Sequence, residues 1–254
     1  MSTVTAKNIK KETNKKNIVS FSGGKDSTYM LLKLVENKVK IDEIIFCDTG
    51  MEFPGMYDHI NKVKNFINKD VTVLRSQKTY KYYLGEHEKT KGKNKGKIGY
   101  GHPDFRNRWC TNMLKKQPFK KYIKEKYNYN ITNFIAIALD EKERTLKNKD
   151  NKWSTEYPLI DWKITEKEAL EYCYEVGFDW NGLYKDFSRV SCWCCPLSSI
   201  NELQVLYNKY PELWTELLNM DKYSFRTFRS DYSLEQLTNR FEKEKQKINI
   251  NLLF

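Results

Sequence analysis

The sequence predicts an α/β fold with a parallel sheet of about five strands, followed by a helical C-terminal region that carries a cysteine cluster. Short apolar runs recur from Ile18 onward, and stretches with helical spacing separate them. This alternation is typical of βαβ units, which build parallel sheets. The run Cys192-Trp193-Cys194-Cys195 sets the late segment apart, because three thiols fall within four positions.

The predicted elements follow in order along the chain. Apolar runs predict strands over 18–21, 41–47, 71–74 and 133–139, and helical spacing predicts helices over 28–39, 54–68 and about 113–126. Thr165 and Glu168 form a capping-box pattern that begins the helical region, and Gly177 is a plausible stop for its first helix. The predicted organisation is a flexible basic tail over 1–16, a sheet domain over 17–164 and a helical region over 165–254.

Length and composition favour a globular protein. A chain of 254 residues with 39% hydrophobic residues can bury a sizeable core. No apolar stretch approaches the roughly 18 residues that a membrane span requires. The first sixteen residues are polar and lack the apolar core of a signal peptide. We therefore expect a soluble, cytoplasmic protein with no membrane partner.

The charge balance favours anionic partners. The net charge is +12, from 45 Lys and Arg against 33 Asp and Glu. The excess is mostly scattered lysine, so a solvated surface and a nucleic-acid footprint both remain open. A Lys-rich loop near 85–100 shows the same ambiguity. Its run over 89–97 is typical of a solvated, disordered insertion, and it also suits a lid or a nucleic-acid contact.

The segment Ser22-Gly23-Gly24-Lys25-Asp26-Ser27 follows the first strand directly and leads into a helix. Adjacent glycines allow the backbone to approach an anion closely, and the N–H groups at a helix start converge on negative charge. Lys25 adds a cation and the serines add hydroxyl groups. The spacing is not that of a Walker A loop. A simpler alternative is a glycine turn with Asp26 or Ser27 capping the helix.

The six cysteines fall into two groups. Cys47 lies in an apolar strand and Cys173 in a helical pattern, so both are predicted to be core residues. The predicted metal ligands are Cys110, Cys192, Cys194 and Cys195. Clustered thiols in an intracellular chain favour a soft metal centre over disulfides. A [4Fe–4S] cluster, a tetrahedral zinc and a dithiol redox pair all fit, and the identity of the fourth ligand is open.

Together these blocks resemble the phosphoadenosine phosphosulfate (PAPS) reductase family of PP-loop ATP pyrophosphatases, over about residues 17–197. The motifs that carry the resemblance, in chain order, are Ser22 to Ser27, Asp48-Thr49-Gly50 with Glu52-Phe53-Pro54, Arg108 to Lys115, Asp140 to Arg144, Tyr157 to Trp162, and Ser188-Arg189 followed by Cys192 to Pro196. The cysteine motifs look closest to the sulfur-transfer ATPases of DNA phosphorothioation and related phage or defence proteins.

The resemblance implies a Rossmann-like sheet that binds ATP or another adenine nucleotide at the carboxyl ends of its strands, as open α/β sheets do. It implies that the phosphates lie on Ser22, Gly23, Gly24, Lys25, Asp26 and Ser27, with Asp48, Thr49 and Gly50 near the nucleoside. Mg²⁺ is expected, held by Asp26 or Asp48. The expected catalytic residues are Lys25, Asp26, Arg108, Glu141 and Arg144, with Lys115 nearby. For Glu141 and Arg144, a surface ion pair on a helix is the alternative.

Three functions follow. The first is ATP hydrolysis to AMP and pyrophosphate that activates a substrate, DNA or RNA, for sulfur transfer assisted by a [4Fe–4S] cluster. Its expected partners are a cysteine desulfurase-like sulfur donor or a partner subunit. The second is reduction of PAPS or adenylyl-sulfate; against it, no cysteine follows Cys195, where reductases of the thioredoxin-using kind carry a catalytic tail cysteine. The third is a non-catalytic nucleotide-sensing or nucleic-acid-binding subunit.

Overall fold

The computed structural model describes residues 15–147 and 152–251. The tail predicted over 1–16 lies outside this range except for its last two residues, and Lys16 already belongs to the first strand. The described residues form two compact units. One comprises residues up to Asp48, 52–75 and 115–191, and the other comprises 49–51, 76–114 and 192 onward. These units differ from the predicted boundary at 165, because residues 165–191 belong with the sheet and 76–114 do not.

The first unit contains a five-stranded, all-parallel sheet in the order β3-β2-β1-β4-β5, which confirms the predicted fold class. The strands are β1 (Lys16–Ser20), β2 (Glu43–Asp48), β3 (Thr72–Arg75), β4 (Ile131–Ile135) and β5 (Ser154–Glu156). The first three match the predicted strands closely. The fourth begins two residues earlier than predicted and ends well before Leu139, and the fifth was not predicted.

Helices flank this sheet within the same unit. They are α1 (Lys25–Glu36), α2 (Pro54–Ile67), α4 (Gln117–Tyr127), α5 (Pro158–Asp161), α6 (Glu166–Glu175) and α7 (Leu183–Asp186). The capping box predicted at Thr165 is present: the Thr165 hydroxyl accepts from Glu168 N, and the Glu168 carboxylate accepts from Thr165 N. Helix α6 ends where predicted, and Gly177 follows with φ of +90°. A π-helical segment, Thr111–Lys116, leads into α4, where the sequence predicted regular helix.

The core of the sheet unit lies around its central strand. Ile18 and Val19 of β1 are fully buried, as are Met30, Leu31 and Leu34 of α1. The consecutive residues Tyr29 to Leu32 of α1 are all buried, so this helix is enclosed on more than one side, and α6 is among its neighbours. Cys173 of α6 is fully buried, and Cys47 packs against the cluster that contains Ile18 and Ile45. The prediction that these two cysteines are core residues is therefore confirmed.

The second unit is helical and contains α3 (Tyr80–Gly85), α8 (Ile200–Lys209), α9 (Pro211–Asp221) and α10 (Leu234–Asn251). The Trp214 ring packs on Tyr207 and Phe241, and its Nε1 donates to Thr238 Oγ1 at 3.1 Å. The Arg229 guanidinium donates to the carbonyls of Pro196 and Ser198, which holds the chain just after the cysteine motif. Within the described ranges, none of the helices combines the length and the apolar character required to cross a membrane.

Residues 87–99 form a small antiparallel hairpin, where the sequence suggested a disordered insertion. Lys89 N donates to Lys97 O at 3.0 Å, Gly96 N donates to Lys89 O at 2.8 Å, and Glu88 bridges Ile98. A short 3₁₀ turn, Gly92–Asn94, closes the tip. Gly99 N continues the pairing by donating to His87 O at 2.8 Å. Backbone pairing, rather than apolar burial, therefore orders this lysine-rich segment.

Candidate functional site

The predicted phosphate loop connects β1 to α1 in a tight turn. Gly23 adopts φ of +79°, and Gly24 stands at the N-cap of α1 without a side-chain cap. The Ser22 and Ser27 hydroxyls lie 3.0 Å apart, and Ser27 Oγ donates to Gly24 O at 2.9 Å. The serines thus brace the turn, and Gly24 supplies no side-chain cap to the first turn of α1, which is the type of helix start that suits an anion.

Packing also explains the first glycine of the loop. A Cβ on Gly23 would lie 2.4 Å from Met56 Sδ of α2, and positive φ is itself strained for a residue with a side chain. Gly23 is therefore required by the fold. Trp180 reinforces this position, since its Nε1 donates to Gly23 O at 2.7 Å.

Lys25 is the electrostatic centre of the loop. It is 7% exposed, and its Nζ donates to Glu166 Oε2 at 2.8 Å and to Asp26 Oδ2 at 3.1 Å. Burial favours the neutral form of Glu166, but the hydrogen bond and the charge of Lys25 outweigh it and lower the pKa of that carboxyl. The sequence gives no sign of this role for Glu166, because it lies 141 residues after Lys25 and its local pattern indicates only a helix start.

Asp26 carries an unsatisfied buried oxygen. Its Oδ1 has no hydrogen-bond partner among the described residues, and burial raises the pKa of this carboxyl despite the neighbouring Lys25. A buried, unpaired carboxylate oxygen is costly unless a cation or a donor reaches it. Hard cations prefer such oxygens, so Asp26 fits the predicted Mg²⁺.

Tyr184 is a second residue that the sequence analysis missed. Its hydroxyl accepts a hydrogen bond from Lys25 N at 2.8 Å, and it lies 3.2 Å from the position of a Cβ on Gly24. Gly24 therefore allows the phenol to reach the first N–H of α1. Tyr184 comes from α7, 159 residues later in the chain, and no local signal marks it.

Glu141 and Arg144 extend the same charge network. The Arg144 guanidinium pairs with Glu141, and Arg189 Nη2 lies 3.7 Å from the other carboxylate oxygen of Glu141. Glu141 also hydrogen-bonds Glu166, which links it to Lys25. The structure thus brings Lys25, Glu141 and Arg144 together within the sheet unit, and adds Glu166 and Arg189 to the predicted set.

Asp48 is held by the protein itself. Tyr57 Oη donates to Asp48 Oδ1 at 2.8 Å, and the Arg75 guanidinium donates to Oδ2 at 2.7 Å. Asp48 is 3% exposed and ends β2, at the edge of the sheet where a nucleotide is expected. Because both oxygens are engaged, Asp26 suits Mg²⁺ better than Asp48 does.

Of the remaining predicted residues, Thr49, Gly50 and Arg108 lie in the second unit and Lys115 lies in the sheet unit. Thr49 is buried there, and its hydroxyl lies 3.5 Å from Cys192 Sγ. Gly50 adopts φ of +75°, with open space where a Cβ would be. Arg108 is exposed in the same unit, while Lys115 belongs to the sheet unit, where its Nζ lies 3.6 Å from Glu52 Oε1. The catalytic role of Arg108 stays a prediction.

The four predicted metal ligands lie near one another in the second unit. Cys194 is 1% exposed, and burial raises the pKa of its thiol well above the ordinary value. The charges of Cys192, Cys195 and Cys110 raise that pKa further, which shows that the four thiols are neighbours. Neighbouring thiols become favourable as thiolates when a soft metal binds them.

Tyr80 faces this group of thiols. It is 2% exposed, and among the described residues its hydroxyl has no hydrogen bond of ordinary geometry, only a weak interaction with the neighbouring Cys194 thiol. Burial raises its pKa, and so do Cys194, Cys110 and Cys192. Its nearest electrostatic neighbours are therefore sulfur atoms, which are weak hydrogen-bond partners. A metal centre bound by these thiols would bring acceptor atoms close to the Tyr80 hydroxyl.

The four thiols do not have the arrangement of a preformed site for one metal ion. Within residues 15–147 and 152–251, no group of three or more His, Cys, Asp or Glu side chains has the geometry to hold a metal ion. The residue types fit a soft metal centre, and the ligand set Cys110, Cys192, Cys194 and Cys195 stays a prediction.

The fold and the loop define an α/β protein with a nucleotide-type loop between its first strand and first helix. Residues 16–198 match the model of the phosphoadenosine phosphosulfate reductase domain. The chain belongs to this family, and the resemblance noted from the sequence is confirmed.

Individual relatives extend the match. The chain is 28% identical over 229 residues to an uncharacterized protein of Methanocaldococcus jannaschii, covering 84% of this chain and 43% of that protein. It is 26% identical over 190 residues to adenosine 5′-phosphosulfate reductase of Geobacillus kaustophilus, covering 69% and 72%. The U34-tRNA thiolase NcsA of Methanococcus maripaludis, solved with its [4Fe–4S] cluster, is similar at 18% identity and a TM-score of 0.45, covering 91% and 74%. The chain spans less than half of the M. jannaschii relative.

Proposed function

We propose that this protein cleaves ATP between its α- and β-phosphates, transfers the adenylyl group to an oxygen of a nucleic acid, and so activates that position for sulfur transfer, with pyrophosphate and AMP as the released products. The observation that carries the proposal is the buried Lys25 ammonium at the uncapped start of α1, between the carboxylates of Asp26 and Glu166. A buried cation at a helix start whose N-cap residue has no capping side chain is suited to phosphates.

The chain's own residues would act mainly through electrostatics. A substrate oxygen attacks the α-phosphorus, the bond from that phosphorus to the β-phosphate oxygen breaks, and pyrophosphate leaves with the electron pair. Lys25 and the N–H groups of the loop stabilise the charge that builds on the leaving group. Lys25 turns from Glu166 to the phosphates in this step. Asp26 Oδ1 would hold Mg²⁺, which supplies further neutralisation of phosphate charge.

Sulfur transfer completes the reaction. A sulfur nucleophile from a donor protein attacks the activated centre, and AMP leaves with the substrate oxygen. Cys110, Cys192, Cys194 and Cys195 would hold a [4Fe–4S] cluster, or zinc in the alternative. With three of these thiols as ligands, such a cluster would leave one iron open to an exogenous sulfur, whereas four ligands would leave none.

The nucleotide half of the proposal is tested by Lys25→Ala. Pyrophosphate and AMP release from ATP should fall by at least 100-fold, because the variant loses the cation that stabilises the leaving group. Lys33→Ala is the matched control, since Lys33 lies at the other end of α1 and pairs with Glu36. Unchanged pyrophosphate release in Lys25→Ala, with the control also unchanged, would overturn the nucleotide assignment.

The metal half is tested by anaerobic purification with iron, zinc and sulfide analysis. Iron and sulfide should be lost when Cys192 or Cys195 is changed to Ala, and retained in Cys173→Ala, whose thiol is buried in the sheet unit. Stoichiometric zinc without sulfide would replace the cluster by a zinc site. Equal iron in all three variants would contradict the ligand set.

A second candidate is reduction of adenylyl-sulfate or PAPS. The similarity to adenosine 5′-phosphosulfate reductase over 190 residues favours it. Sulfite release from adenylyl-sulfate with a dithiol donor, and no AMP formation from ATP, would select this reaction. Tight ATP binding with neither product would select the nucleotide-sensing function.

A further inference from the structure

A cavity of about 640 Å³ opens beside the hairpin of residues 87–99 in the second unit. Among the described residues, the charged side chains that line it are all cations: Lys89, Lys91, Lys97 and Arg226. Two aromatic rings, Tyr100 and Phe225, complete its walls. The chain as a whole carries a net charge of +12, which concentrates anions around such a surface.

The hairpin and a glycine hold the cations together. Lys89 N donates to Lys97 O across the hairpin, and Gly96 N donates back to Lys89 O, which keeps the two lysines on facing strands. The Arg226 stem lies against Gly101, where a Cβ would come within 2.7 Å of Arg226 Cγ, and its guanidinium pairs with Asp104. Burial lowers the pKa of Lys89, and the positive charges of Lys97 and Arg226 lower it further. Such crowding of like charges is relieved when an anion binds.

The two aromatic rings, Tyr100 and Phe225, differ in packing and exposure. Tyr100 is stacked between His87, at 4.9 Å, and Trp109, at 5.8 Å, so it is a fixed part of the wall. Phe225 is 64% exposed, and Lys89 Nζ lies 4.8 Å from its ring centroid. An exposed ring beside cations is the arrangement that binds an unstacked base and its phosphate.

We propose that this cavity binds single-stranded nucleic acid, with backbone phosphates on Lys89, Lys97 and Arg226 and a base stacked on Phe225. A duplex keeps its bases stacked on each other, so the Phe225 face selects single strands. The identification of this nucleic acid as the substrate rests on the proposed function, whereas the binding site itself does not. Binding itself requires neither ATP nor a metal.

The test is fluorescence anisotropy of the full chain with labelled 20-nucleotide single-stranded RNA and DNA of mixed sequence, without ATP, at several salt concentrations. The double variant Lys89→Ala/Lys97→Ala should weaken binding at least tenfold at low salt. It should also flatten the dependence of log K on log salt by about 1 to 1.5, since each phosphate contact contributes roughly 0.7 on single strands. Phe225→Ala should weaken binding by about 5- to 100-fold through lost stacking.

The controls are matched by residue type and exposure. Lys121→Ala/Lys124→Ala removes two exposed lysines of α4, and Phe66→Ala removes a ring that is 62% exposed in the sheet unit. Both should bind as the wild type does. Thermal unfolding of each variant shows that the fold is intact, and Phe225, being exposed, tests the site without disturbing the hairpin.

The outcomes separate this inference from the proposed function. Tight single-strand binding that requires Phe225 supports the site, and a preference for RNA or DNA then identifies the source. Absent binding, or equal binding of a duplex with no effect of Phe225→Ala, overturns it. Pyrophosphate release from ATP is measured on the same preparations. Binding without release would count against the proposed function alone, and release without binding would count against this inference alone.

Discussion

The Lys25 ammonium lies 2.8 Å from the Glu166 carboxylate, although 141 residues separate the two in the sequence. This pair joins the start of α1 to the start of α6. In the proposed function, the same ammonium serves the phosphates of ATP. Glu166 therefore competes with the nucleotide for Lys25, and this competition can be measured.

Glu166→Gln should tighten ATP binding several-fold, because it removes a negative charge from the position that receives phosphates. The variant should lose about 1 kcal/mol of stability, since a charge-assisted hydrogen bond at a partly exposed site becomes a neutral one. Isothermal titration with ATP gives the affinity. Glu171→Gln on the same helix, whose carboxylate pairs with exposed Lys167, should change neither quantity appreciably. Unchanged or weaker ATP binding in Glu166→Gln would refute the competition.

Asp26→Asn should stabilise the ligand-free protein at pH 7 by about 1 kcal/mol while weakening Mg²⁺-dependent ATP binding. Burial raises the folded pKa of Asp26 above its ordinary value of 3.8, so the charged form is destabilised in the folded state. The cost is present at pH 7 and disappears as the pH falls through the folded pKa. The stability difference between wild type and variant should therefore shrink in acid, as urea unfolding at a series of pH values would show.

Asp42→Asn is the control, and its effect on stability at pH 7 should be opposite in sign to that of Asp26→Asn. Burial favours the neutral form of Asp42, but bonds from Asn17 N and Lys16 and the charge of Lys40 outweigh it and lower the pKa. The stabilisation that the Asp42 carboxylate provides is present above its ordinary pKa of 3.8 and is lost as the pH falls through its lowered pKa in the folded protein. Asp42→Asn should thus destabilise the protein at pH 7. Identical behaviour of the two variants would contradict the assignment for Asp26.

Gly23→Ala should cost clearly more stability than Gly50→Ala. Both glycines have positive φ, at +79° and +75°, so each substitution carries a backbone strain of about 1–2 kcal/mol. The new Cβ at position 23 also meets Met56 Sδ at 2.4 Å, whereas the one at position 50 meets open space. Overpacking adds about 1–3 kcal/mol. Urea unfolding of both variants measures the difference, and equal losses would show that packing against α2 is unimportant.

The parts of the fold that depend on local pattern were predictable. The apolar runs before Ser22 and Asp48 gave β1 and β2, and the Thr165 capping box gave the start of α6. Strand β5 was missed because Ser154–Glu156 has no apolar alternation and pairs only as a short edge strand.

The site was predictable only where a motif marks it. The loop of Ser22 to Ser27 and the late cysteines stand out in the sequence, but Glu166, Tyr184 and Arg189 reach the loop or its charge network through tertiary packing. Tyr80 was likewise missed. Its burial beside Cys194 follows from packing in the second unit, and nothing in the surrounding sequence indicates it.

Tyr80→Phe should raise the free energy of unfolding of the metal-free protein, or leave it unchanged. The Tyr80 hydroxyl is buried without a hydrogen bond of ordinary geometry among the described residues, so removing it relieves a desolvation cost of about 1 kcal/mol. Tyr57→Phe is the matched control, because the Tyr57 hydroxyl donates to Asp48 at 2.8 Å, and it should destabilise by a similar amount. Urea unfolding in the presence of a chelator and a reductant measures both.

If the four thiols hold a cluster, the change in stability caused by Tyr80→Phe should reverse in sign in the loaded protein. The substitution should then be destabilising, because it removes a hydroxyl that would donate to an acceptor atom of the bound group. A loss of stability in the metal-free variant would show instead that the Cys194 thiol already satisfies this hydroxyl.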